Sequence, residues 1–95
     1  MSPRTYPQTP AEVLDYGWDF ERWLEDVADT IATSVWVVDV GLDVISQGND
    51  NTGTSVFVAG GILGERYNLT NRITTVGGRT AERRLRVEIV EARYA

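Results

Sequence analysis

The stretch RYNLTNRITTVGGRTAERRLRVEIV, residues 66–90, decides the fold. From Arg66 to Thr75 it alternates: Tyr67, Leu69, Asn71 and Ile73 share one side, and Asn68, Thr70, Arg72 and Thr74 the other. Period two is the mark of a strand with one face toward a core. Thr80 to Val90 alternates again, with Ala81, Arg83, Leu85, Val87 and Ile89 opposite Glu82, Arg84, Arg86, Glu88 and Val90. Between them Val76-Gly77-Gly78-Arg79 predicts a hairpin connection, because paired glycines supply the positive φ such turns need. Arg83 falls on the apolar parity, near the strand's end, where its charge can reach water.

Working upstream, Gly60-Gly61 and Gly64 frame a loop, and Thr54 to Ala59 reads as a strand with Val56 and Val58 on one side and Phe57 on the other. Gly48 to Gly53 is a turn cluster. Leu42 to Ser46 is a short strand, separated by Gly41 from residues 30–40, TIATSVWVVDV, whose β-branched residues and Trp36 predict another. Leu14, Tyr16, Trp18 and Phe20 alternate with Asp15, Gly17, Asp19 and Glu21, a half-buried strand. Phe20, Trp23, Leu24 and Val27 then follow a spacing near 3.6, which predicts a helical turn or two over 20–28, ended by Asp29 and Thr30.

About seven short strands at roughly ten-residue spacing, with one short helix, predict an all-β antiparallel sandwich rather than βαβ units. The chain of 95 residues suits one domain, here 12–95. Residues 1–11 hold all three prolines, Pro3, Pro7 and Pro10, and read as an extended arm outside the core: either a disordered tail, or an arm that docks on a neighbouring subunit, with Arg4 and Tyr6 as its contact residues.

Composition excludes much chemistry. There is no Cys, His or Lys, and all nine cations are Arg. Disulfides, thiol nucleophiles, imidazole bases, Schiff-base lysines and P-loop lysines are therefore impossible. The serines have no imidazole partner for a triad. Apolar runs are too short for a membrane span, and MSPRTYPQTP has no apolar core of a secretory signal. The net charge of −5 argues against general nucleic-acid binding.

Asp15, Asp19, Glu21, Glu25, Asp26 and Asp29 raise the question of calcium or paired carboxylates, but no D-x-D-x-D-G loop is present and their parity is that of a solvated face. Asn49, Asp50 and Asn51 are read as turn chemistry. No catalytic residue, metal site or cofactor is expected. Charge is polarised instead: residues 1–48 sum to −7 and residues 49–95 to +2. Arg79, Arg83, Arg84 and Arg86 cluster on and after the last hairpin, suited to ion pairing with acids of the first half, within the chain or across a subunit boundary.

Tyr67, three residues after Gly64 near the start of the penultimate strand, resembles the tyrosine that closes a corner in immunoglobulin-like sandwiches by bonding upstream backbone. Leu69 then takes a core place, and Trp36 packs between sheets. The expected core also includes Trp18, Phe20, Ile73, Leu85 and Val87.

The joined succession EVLDYGWDFERWL (12–24), DTIATSVWVV (29–38), GLDV (41–44), TSVFVAGG (54–61) and GERYNLTNRITTVGGRTAERRLRV (64–87) resembles short immunoglobulin-like structural proteins of tailed bacteriophages, the fibre–tail adaptor or tail-associated family. The resemblance implies a non-enzymatic virion building block, assembled in the host cytoplasm. It implies several copies per particle, joining tail or baseplate to fibres through other virion proteins, with no nucleic acid or membrane as partner. Two alternatives stand beside it: a capsid decoration or head–tail joining protein, and a carbohydrate-binding sandwich stacking sugars on Tyr16, Trp18 or Trp23.

Overall fold

The computed structural model describes residues 4–92. Along them run β1 (Arg4–Gln8), β2 (Val13–Asp19), α1 (Glu21–Asp26), β3 (Ile31–Val38), β4 (Leu42–Asn49), β5 (Gly53–Gly60), β6 (Arg66–Thr75) and β7 (Thr80–Ile89). They form two sheets, a four-stranded one in the order β1-β7-β6-β3 and a three-stranded one in the order β2-β5-β4. The fold is an all-β sandwich. The three-stranded sheet packs on the four-stranded one, in which β1 holds the edge beside β7.

The N-terminal stretch differs from expectation. Residues 4–8 are not an arm standing off the domain but an edge strand, and β1 pairs in parallel with β7, so the sandwich is not wholly antiparallel. Pro7 is compatible with this because an edge strand can leave one amide position unused. Gln8 is buried and closes the seam between sheets. Its Nε2 donates to the carbonyls of Glu12 (3.0 Å) and Val58 (3.1 Å), and its Oε1 accepts from the Tyr16 hydroxyl (2.8 Å). A polar side chain is tolerated there because each of its groups is paired.

The main core joins Trp36, Leu42, Val56, Val58, Tyr67, Leu69, Leu85, Val87 and Ile89. A second cluster of Phe20, Leu24, Ile31 and Ile73 plugs one end under α1, and half-buried Trp18 touches both. The helix closes in a Schellman pattern, Asp29 N–H to Leu24 C=O (3.0 Å) and Ala28 N–H to Glu25 C=O (3.2 Å), with Ala28 at φ 51. Among the described residues the buried Trp36 indole N–H finds no acceptor. A buried donor left unpaired costs about 1–3 kcal/mol, set here against the large apolar surface of the ring.

Tyr67 closes the corner read from its position. It is buried, and its hydroxyl accepts the Ile62 amide at 2.9 Å, five residues upstream. Tyr67→Phe leaves that amide without its side-chain acceptor and is expected to lower unfolding free energy by about 1–2 kcal/mol. Urea denaturation reads this, and an unchanged midpoint would remove the hydroxyl from the account of the corner.

Candidate partner-contact surface

The last hairpin puts the basic cluster on three different environments. Gly77-Gly78 turns the chain, and Arg79 leans back on the start of β3: its guanidinium lies 2.9 Å from Asp29 Oδ2. Asp29 is a hub. Its Oδ1 accepts the amides of Thr30 and Gly77, both at 2.9 Å. The Thr75 hydroxyl, foremost, then these amides and Arg79 hold its carboxyl down to about 2 against the opposing pull of burial. The expected pairing of the basic cluster with an acid of the first half is thus realised within the chain at this pair.

The sign of the linkage follows from the depressed carboxyl. Its contribution is present above the ordinary carboxylate range and is lost as pH falls toward 2. Asp29→Asn is therefore expected to melt lower than the parent near neutrality, with the gap closing between about pH 4 and pH 2. Melting curves across that range check it, and a gap that does not change with pH would show the charge to be unimportant.

Arg83 lies half-buried with its guanidinium 5.5 Å from the centre of the Phe20 ring, which explains an Arg on the inward parity. Arg84 and Arg86 face outward from β7. Their Nε atoms sit 3.4 Å from Thr70 Oγ1 and Asn68 Oδ1, and among the described residues neither has a carboxylate within ion-pair distance. Around them Arg66 pairs with Glu88 and Arg72 with Glu82 across β6 and β7. Arg4 is exposed at the β1 edge, while Tyr6 is half-buried with its ring 5.4 Å from that of Tyr16. Of the six contact candidates, then, Arg4, Arg84 and Arg86 present their charge outward. Arg79 and Arg83 are engaged internally, and Tyr6 is partly engaged.

The opposite outer face belongs to β2-β5-β4. Register sets Val13, Ala59 and Asp43 abreast, then Asp15, Phe57 and Ser46, then Gly17, Ser55 and Gly48. A bulge leaves Ile45 unpaired beside Phe57. Phe57 is 42% and Ile45 59% exposed, with Asp15 beside Phe57 and Asp43 in the next row. Sequence periodicity placed Phe57 outward but did not show its neighbours, because they come from two other strands.

The aromatic residues weighed as sugar platforms, Tyr16, Trp18 and Trp23, are half-buried. Trp18 and Trp23 pack on the core clusters, and burial, then Glu12, Asp15 and Tyr6, pushes the Tyr16 hydroxyl up to about 12. Asp50 is a turn group whose carboxylate accepts the Thr52 and Gly53 amides at 2.9 and 2.7 Å, which lowers its pKa. Among the described residues no group of three or more acids converges as a metal site. Among the same residues no helix is long and apolar enough to cross a membrane.

A family model described as Podophage GP4 fiber-tail adaptor protein gp77 matches residues 8–88. No individually curated protein matches the chain.

Proposed function

The chain belongs to the podophage fibre–tail adaptor family, and from that premise we propose that it joins the tail or baseplate of a phage particle to its fibres by protein–protein contacts alone. The role is non-enzymatic, and the place of action is the virion after assembly in the host cytoplasm. The observation that carries the reading is the division of the surface. The interior is filled by side chains, while charged and apolar groups that could be paired at home stand outward: Arg84 and Arg86 on one face, Phe57 and Ile45 among acids on the other. Such groups are the usual material of a docking surface. Arg4 adds a cation at the β1 edge.

Cross-linking mass spectrometry on purified particles tests this. Cross-links from this chain to both tail and fibre subunits are expected. Absence of the chain from intact particles, or links to capsid protein alone, would overturn the adaptor role.

A further inference from the structure

Two turns meet at one end of the sandwich, and each points a large apolar side chain into water. Asp39-Val40-Gly41-Leu42 is closed by the Leu42 amide donating to the Asp39 carbonyl (3.3 Å), with Gly41 in third place at φ 109. Ile62-Leu63-Gly64-Glu65 repeats the device: the Glu65 amide donates to the Ile62 carbonyl (3.0 Å), with Gly64 at φ 89. Both follow the type II pattern, which favours glycine in third place and asks nothing apolar of the second. Yet Val40 stands in second place 100% exposed and Leu63 50% exposed, with Ile62 beside it at 65%. Tyr67 holds the two turns together. Its hydroxyl accepts the Ile62 amide, and a Cβ at Gly41 would stand 3.1 Å from the same oxygen. Asp39 braces the first turn by accepting the Asn68 amide at 2.8 Å. The apolar groups thus project from a preset frame and need little ordering on contact.

This end is also a tip. The ten residues of β6 run for about 33 Å at about 3.3 Å each, longer than the two short extents of 23 and 22 Å, so the strands follow the 45 Å axis. Around the apolar three, Asp39, Glu65 and Glu91 are exposed, and Leu63 borders one depression with Glu88 and Glu91. The arginine of this end, Arg66, is taken by Glu88 at 3.1 Å.

We propose that this tip is a plug for an apolar socket rimmed by Arg or Lys on a different virion protein. The inference rests on the adaptor reading only in drawing its partner from the particle, and it uses a surface apart from both sheet faces. Apolar groups gathered on one exposed spot and rimmed by polar ones mark a contact site. The acids select what covers it. They are repelled by anionic lipid, by nucleic acid and by the same tip of a second copy. A cationic rim meets them and fixes the register of the plug.

Competition during assembly tests the proposal. Parent and variant chains are supplied together to infected cells, and their ratio in purified particles is read by mass spectrometry. Val40→Thr with Leu63→Gln is expected to enter particles about tenfold less than the parent, as loss of central anchors does. Glu65→Arg with Glu91→Arg is expected to fall by a similar factor. All four positions are exposed, so both purified variants are expected to melt within a few degrees of the parent. Should either fail to fold, p-benzoylphenylalanine in place of Leu63 keeps an apolar group there and reads the contact by photo-cross-linking. Links to a tail or fibre subunit are expected. Parental entry of both double variants overturns the plug and leaves the adaptor role standing, as do particles that hold the chain but give no link, or links to a second copy alone. Parental entry of the charge pair alone overturns the cationic rim. A link to capsid protein alone keeps the plug and removes the adaptor role. Particles without the chain overturn both.

Discussion

Asn71→Leu is expected to lower unfolding free energy by about 3 kcal/mol. Asn71 is fully buried, on the side of β6 that it shares with Tyr67, Leu69 and Ile73. It links three strands: its Oδ1 accepts from Thr54 Oγ1 (2.8 Å) on β5, and its Nδ2 donates to Ser34 Oγ (3.0 Å) and to the Val35 carbonyl (3.2 Å) on β3. Leucine fills a similar volume but leaves these groups facing a hydrocarbon, at about 1–3 kcal/mol for each one that water cannot reach. Adding Thr54→Val removes one stranded hydroxyl and is expected to recover about 1 kcal/mol. Chemical denaturation of the two single variants and the pair reads both numbers. Additive losses with no recovery would show that the inter-sheet hydrogen bond is not what Asn71 contributes.

Leu69→Ala is expected to cost about 2–5 kcal/mol, the range for a buried leucine truncated in a packed core. Leu69 has no exposed surface and lies between Val38 of β3 and Leu85 of β7 in register, facing the second sheet. A domain of this size has only about 5–15 kcal/mol in total, so the variant is expected to melt more than about 10 °C lower. Leu69→Met, which keeps the volume, is expected to cost less than about 1.5 kcal/mol. A loss below about 1 kcal/mol for the alanine variant would mean that the sheets can collapse into the space.

The two variants probe residues that sequence periodicity put side by side, yet only one could be understood there. Leu69 on the inner parity needs no further partner than a core. Asn71 on the same parity is a conflict until Thr54 and Ser34 are seen to meet it, and both arrive from strands distant in sequence. Gln8 was harder to read. Three nearby prolines marked the segment as an arm, because proline disfavours ladder pairing in general. The pairing of β1 with β7 satisfies the backbone of an edge strand, where that objection is weakest. Leu24, Ile31, Leu42, Val56, Val58 and Ile89 complete the core beyond the expected residues, all on apolar positions of elements that the pattern had already outlined.

Alternation of side chains is a local property, imposed by the pleat. For that reason the sequence alone determined the class of fold, the hairpin at Gly77-Gly78 and the inward sides of β6 and β7. It also determined the chemistries that a chain without Cys, His or Lys must forgo. Where each strand stands in a sheet is decided by which hydrophobic sides close on each other across the whole chain. Only the tertiary structure therefore placed β1 beside β7 and seated Arg79 on Asp29 and Arg83 on Phe20. The polarity of −7 and +2 was legible as arithmetic. That Asp15 and Asp43 come to one outer face and Arg84 and Arg86 to the other was not, because β2 and β4 flank β5 in one sheet while β7 lies in the other.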